Sequence, residues 1–325
     1  MPAATRRTNC IFRLLLGIFG SLLAACVCLS APRQQQDAVP VPAVSAISEL
    51  KSRADSGDPA ARDQLREFIV AADPASLGYD QALSWLQSSA SQNQPDAQFL
   101  LGYLYEHGKG LSRDFSKAAE NYRSAALQGY ALAETNLGAF YRRGTGVPRD
   151  IALAFHWYRL GAQHGNPAAQ QNLGTFFFLG YATPIDYVEA ANWFRASAEQ
   201  GFAEGQNSLA FCYLKGIGVP RDDSQAAHWA LLAAEQGNPR SQALLAYLYE
   251  RGKGLPLDYV AAYAWYSRAL AAGDHSNADR LKSLSQVMTL KQLKEANSLV
   301  SAQSFALRPG SAPSLPATSY LRSNH

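Results

Sequence analysis

The chain has 325 residues, 47% of them hydrophobic and 17% charged, enough apolar material for one or two compact domains. Its formal net charge is +3, but Arg6, Arg7 and Arg13 are the only charged residues before Cys26, and the remainder carries 26 basic and 26 acidic side chains. A chain so balanced lacks the basic footprint that dominates nucleic-acid affinity, so no nucleic-acid partner is expected.

The N-terminus reads as a targeting segment, residues 1–25. Its three arginines precede an apolar run from Leu14 to Ala25, which at 12 residues is short for a bilayer span and the right size for a signal-peptide core. Leu23-Ala24-Ala25-Cys26 resembles the bacterial lipobox, in which small residues admit the lipoprotein peptidase and the cysteine thiol takes a diacylglyceryl group. Cys26 is therefore the expected lipidation site, and cleavage near Ala31 or an uncleaved anchor is the alternative. Cys28 is either a free thiol or a second acylation site. Residues 26–44 carry Pro32, Pro40 and Pro42 among glutamines and small residues, the composition of an extended tether. Residues 45–58 follow as a capping helix, with Ile47, Leu50 and Ala54 at helical spacing.

From here the chain repeats itself. Trp157, Trp193, Trp229 and Trp265 are each 36 residues apart, and the same step backwards reaches Asn121 and Trp85. The blocks are 59–94, 95–130, 131–166, 167–202, 203–238 and 239–274. A fixed period of this length predicts stacked supersecondary units with apolar surface buried between neighbours.

Each block predicts two helices. Asp58-Pro59, Gln94-Pro95, Asn166-Pro167 and Asn238-Pro239 place a cap-type residue before a proline, which loses nothing in a first helical turn. Helix A follows, with Ala97, Leu101, Leu104 and Tyr105 on one face. Glycine pairs such as Gly108 and Gly110 end it. Asp114, Asp150, Asp186, Asp222 and Asp258 stand where they can cap helix B. Helix B carries small residues and aromatics, as in Ala154, Trp157 and Tyr158, and the tryptophans are expected in the core. The glycine pair follows a helix instead of a strand and precedes no Lys-Ser or Lys-Thr, so it is not read as a nucleotide loop.

The pattern A-x-x-x-L-G-x-x-Y-x-x-G-x-G-V-P-x-D-x-x-x-A-x-x-W-Y-x-x-A-A-x-x-G, seen almost whole from Ala133 to Gly165, resembles the SEL-type (Sel-one-like, SLR) repeat family, a relative of the tetratricopeptide repeat. The resemblance implies an all-α, right-handed α-solenoid of six 36-residue helix-turn-helix repeats, acting as a protein-protein adaptor of the kind found in bacterial envelope and secreted proteins. Departures are local. Block one lacks both loop glycines, Ala182 replaces the second glycine of block four, and Ala230 stands in block five where an aromatic is usual.

Residues 275–303 read as a C-terminal helical cap, the second helix opened by a capping box of Thr289 and Gln292. Residues 304–325 read as a disordered tail.

The resemblance also implies that the A helices line a concave surface, so helix-A positions that differ between copies are the candidate partner site. Tyr103, Phe178, Phe211, Leu214 and Tyr247 are large, lie off the repeating core stripe and form a candidate groove for a peptide or helix. Packing on the next helix A is the competing explanation. Arg142, with Arg143 and Arg149, makes a basic spot suited to an acidic segment, or simply a solvated face.

No catalytic residue, cofactor site or metal site is predicted. The six histidines are scattered, none in His-Glu-x-x-His spacing, and no Gly-x-Ser-x-Gly elbow occurs. His156 and His228 read as surface residues and Cys212 as a small core residue. Some members of the resembled family carry paired cysteines in every repeat and have been described as penicillin-binding enzymes; the array here has one cysteine. The expected function is a non-catalytic envelope scaffold, a periplasm-facing outer-membrane lipoprotein that binds a protein partner. A secreted adaptor engaging host proteins is the alternative, and a beta-lactamase-like hydrolase the third reading.

Overall fold

The computed structural model describes residues 44–301. The signal segment, Cys26, the tether before Val44 and the tail at 304–325 lie outside the described residues. Within them are fifteen α-helices, one short 3-10 turn at His275–Asn277 and no strand.

The helices come in the expected order. α1 is Val44–Asp55, followed by the pairs α2 Pro59–Ala71 with α3 Tyr79–Ser91, α4 Pro95–His107 with α5 Phe115–Ala126, and α6 Ala131–Arg143 with α7 Ile151–Gln163. Then come α8 Pro167–Leu179 with α9 Tyr187–Glu199, α10 Ala203–Lys215 with α11 Asp223–Glu235, and α12 Pro239–Arg251 with α13 Tyr259–Ala271. α14 Ala278–Val287 and α15 Leu290–Ser301 close the series. The fold is all-α, a solenoid arrangement in which consecutive helices pack as pairs.

Local chemistry sets these boundaries. Asp114, Asp150, Asp186, Asp222 and Asp258 each accept from backbone N–H groups in the first turn of a B helix, caps whose loss typically costs ~1 kcal/mol. The same aspartates donate their own N–H back to the end of helix A, as Asp150 does to Tyr141 O at 2.9 Å. That bond turns the chain sharply and returns helix B alongside helix A. Asp58, Asn166 and Asn238 cap their A helices. Gln94 makes no such side-chain bond. Thr289 and Gln292 form the reciprocal capping box.

The second loop glycine is needed for close approach. A Cβ on Gly146 would fall on the Phe115 carbonyl of the preceding repeat, and the glycine also holds a φ of 65°. Ala182 occupies the equivalent place in block four and keeps a left-handed φ of 56°, a conformation costly for a residue with a Cβ.

Helix B buries one face, but not the one centred on tryptophan. Trp85, Trp157 and Trp265 are buried, whereas Trp193 and Trp229 are only half-buried. The next residue is buried in every one of the last five repeats: Tyr122, Tyr158, Phe194 and Ala230 are fully enclosed and Tyr266 nearly so. The rings of Tyr122, Tyr158 and Phe194 each lie against a helix-A glycine, so that a Cβ on Gly102, Gly138 or Gly174 would come within 2.9, 2.9 and 2.7 Å of the respective ring. In block five both partners change, to Ala210 and Ala230, and both are buried.

The described chain falls into two compact units, 44–169 and 170–301. In the first, Ile47 of α1 packs with Leu65, Ile69, Trp85 and Leu86 in one apolar cluster. In the second, the cap helices contribute Leu284, Met288 and Ala296 to the cluster around Trp265 and Tyr266.

Candidate functional site

In the unit 44–169, Tyr103 on α4 is half-buried. Its ring stacks on His107 at 4.0 Å, one helical turn away. Arg142 near the end of α6 is half-buried and lies beside the enclosed Tyr158. Burial pushes the Tyr158 hydroxyl above the ordinary tyrosine range, and the Arg142 charge draws it partly back.

In the unit 170–301 three of the predicted groove residues are interior: Phe178 is 2% exposed, Phe211 6% and Leu214 6%. Phe178 touches Tyr187 at 5.2 Å, Phe194 at 6.2 Å and Phe211 at 6.4 Å between ring centroids. Phe178 and Phe211 are thus brought together, but by packing that leaves little of either for a partner. Tyr247 is half-buried, with Lys253 Nζ 5.5 Å and Arg280 Cζ 5.3 Å from its ring centre.

A single pairing explains Arg142, Phe178 and Leu214. Glu106, Arg142, Phe178, Leu214 and Glu250 share one repeat phase, and each sits sixteen residues before a buried residue of its own B helix, Tyr122, Tyr158, Phe194, Ala230 and Tyr266. Tyr122 Oη donates to Glu106 Oε2 at 2.6 Å and Tyr266 Oη to Glu250 Oε2 at 2.9 Å. Tyr158 has Arg142. Where the B-helix residue has no hydroxyl, the A-helix partner is apolar: Phe178 with Phe194, and Leu214 in the same cluster as Ala230. Variation at this phase therefore follows the interior.

The helix-A face beside it is also closed, by polar side chains. Gln171 Nε2 donates to Ser208 Oγ at 3.0 Å and Ser241 Oγ to Asn207 Oδ1 at 2.9 Å, both between successive A helices. A second repeated bond, not anticipated from sequence, joins the first turn of helix A to the end of helix B. Gln128 donates to Gln98, Gln200 to Gln170 and Gln236 to Gln206, each at 2.8 Å. In block three both members change together, and His164 Nδ1 lies 2.8 Å from Glu134 Oε2. The signal was the paired exchange thirty residues apart.

The chemistry on these helices is sparse. Burial pushes the Cys212 thiol up to about 12, which leaves it un-ionised and unreactive in the folded chain. His228 is half-buried against Trp229 at 5.1 Å, and burial lowers its pKa; it is less superficial than His156, which is exposed. Among the described residues no three His, Cys, Asp or Glu side chains converge as a metal site would need.

The family model described as Sel1 repeat matches residues 78–94, 95–130, 131–166, 167–202, 203–238 and 239–274. A protective antigen present in uropathogenic Escherichia coli strains, displaying an SLR fold, is 32% identical with a TM-score of 0.66 over 78% of this chain. This chain spans about half, 54%, of that protein's length. A Sel1 repeat protein from Oxalobacter formigenes is 30% identical with a TM-score of 0.63, over 72% of this chain and 96% of its own. No curated protein matches the chain.

Proposed function

This chain belongs to the Sel1 repeat family, whose members are generally protein-protein interaction scaffolds, and from that premise we propose that it is a non-catalytic scaffold of the bacterial cell envelope. A lipid on Cys26 anchors it, residues 26–44 act as the tether, and the folded repeats face the periplasm to hold a protein or peptide partner. The observation that carries the envelope reading is Leu23-Ala24-Ala25-Cys26 at the end of an arginine-flanked apolar run. The partner contacts assigned to helix A are Tyr103, Arg142 and Tyr247, since these keep part of their surface exposed while Phe178, Phe211 and Leu214 are enclosed.

Two aromatics and a guanidinium are the side chains that dominate protein interfaces. The reading is tested by expressing the full chain and its Cys26→Ser variant with a radiolabelled fatty acid. Label and membrane sedimentation present in the parent and absent in the variant support it. An unlabelled, wholly soluble parent contradicts it.

The description of the uropathogenic Escherichia coli relative as a protective antigen favours a second reading, a secreted adaptor that engages host proteins. Release of the unlipidated chain into the medium would select it.

A further inference from the structure

The first repeat breaks the thirty-residue bond that closes its successors. Arg62 stands where Gln98, Glu134, Gln170 and Gln206 stand in later blocks, and Gln92 where Gln128, His164, Gln200 and Gln236 stand. In those four blocks the two side chains meet at 2.8 Å. In block one Arg62 Nε instead donates to Ala54 O at 3.2 Å, and Gln92 Nε2 approaches Ser88 Oγ at 3.4 Å. Between them lies a cavity of about 200 Å³, bounded by α1, α2, α3 and the start of α4, with Trp85 in its wall.

The charges around this cavity leave one cation over. Arg66 is held by Asp63 and Asp96, and Asp55 pairs with Lys51 at 3.2 Å. Arg62 is half-buried and its two terminal nitrogens have no acceptor among the described residues. The half-buried Ser89 hydroxyl and Gln94 amide also line the space and donate elsewhere to nothing described. The planar, fixed donors of a guanidinium match a carboxylate with two parallel bonds.

We infer that this cavity binds a carboxylate, received by the terminal nitrogens of Arg62 with Ser89 and Gln94 as flanking donors. Asp55 and Asp96 in the lining disfavour a second negative charge, which selects a carboxylate over a phosphate dianion. The volume is below the ~300–1,000 Å³ that encloses a whole drug-sized ligand. The cavity therefore takes the end of a molecule: a small acid, or the terminal carboxylate of a peptide.

The test titrates the full chain with acetate, with N-acetylglycylglycine and with the C-terminal amide of that dipeptide, followed by calorimetry. Saturable binding of the dipeptide acid at millimolar or lower concentration, weakened about tenfold or more in the amide by loss of the charged contact, is expected. Acetate binding as tightly as the dipeptide acid identifies a small acid as the source, and weaker acetate binding identifies a peptide terminus. Arg62→Gln installs the side chain used by the later blocks and is expected to abolish acid binding at an unchanged or higher Tm. Ser89→Asp, which leaves Arg62 in place and adds a charge at a half-exposed site, is expected to weaken it as well. Equal binding of acid and amide, no saturable binding of either acid, or undiminished binding in both variants would overturn the inference.

Discussion

Tyr122 Oη donates to Glu106 Oε2 at 2.6 Å across the sixteen residues between the A and B helices of one repeat, and Tyr266 does the same to Glu250 at 2.9 Å. The pairing makes the helix-A side chain a consequence of the helix-B core. Phe178→Glu should be strongly destabilising alone, since it sets a carboxylate against Phe194 without a donor. Adding Phe194→Tyr should return part of that loss. Guanidinium unfolding of the two single variants and the double variant measures the coupling, expected at about 1.5–3 kcal/mol for a hydrogen bond to a charged group. Additive losses would dismiss the pairing.

Two buried tyrosines, Tyr158 and Tyr266, make the fold sensitive to alkali. Burial first, and for Tyr266 the hydrogen bond to Glu250 next, raises the hydroxyls of Tyr158 and Tyr266 above the ordinary value. The unfolded chain then releases these protons at a pH where the folded chain retains them. Their contribution is complete below the ordinary tyrosine value of about 10 and declines as pH rises beyond it. Tyr158→Phe and Tyr266→Phe should each flatten the fall in stability above that pH, measured by denaturation at stepped pH.

Ala182 holds a left-handed φ of 56° where blocks two, three, five and six place glycine. Ala182→Gly removes a strain of ~1–2 kcal/mol and adds back ~0.4–1 kcal/mol of unfolded-chain entropy. A net gain between about zero and ~1.6 kcal/mol is expected, visible as a small rise in Tm; a fall would show that the alanine methyl makes contacts worth more than its strain.

Burial separates the predicted groove residues into two kinds. Phe178→Ala and Phe211→Ala should cost ~3–5 kcal/mol each, as for enclosed aromatics elsewhere, and thermal unfolding should register the loss directly. Tyr103→Ala exposes no sealed interior and should cost well under half as much.

Cys212 is 1% exposed and its thiol is pushed up to about 12. Iodoacetamide should leave the Cys212 peptide unmodified in the native chain at pH 8 and label it once guanidinium unfolds the repeats. Mass mapping of that peptide decides the matter; rapid native labelling would place the thiol at a surface.

The period of the tryptophans was enough to locate both helices of every repeat, because the caps and loop glycines recur in phase with it and act locally. Asp114 and Gly144 could be placed without knowing their neighbours. The depth of a side chain could not be placed that way. Trp193 and Trp229 share the phase of Trp265 yet are half-buried, since burial depends on what the adjoining repeat offers. Phe178 and Leu214 looked free because they vary between copies, and the residue they answer to lies sixteen positions on. The exchange of Gln98 and Gln128 for Glu134 and His164 was legible in principle, as two substitutions at a constant separation. The assignment of Cys26 rests on the N-terminal segment, outside the described residues.

On the proposed function Tyr103 and Tyr247, and not the enclosed aromatics between them in sequence, meet the partner. Site-specific photo-crosslinking in the native host cell tests this most directly, with benzoylphenylalanine at 103, at 247 and at the exposed helix-B position 153. A discrete adduct with one envelope protein from 103 or 247, and none from 153, is the predicted result. Adducts from 153 alone, or none from 103 and 247, would contradict it.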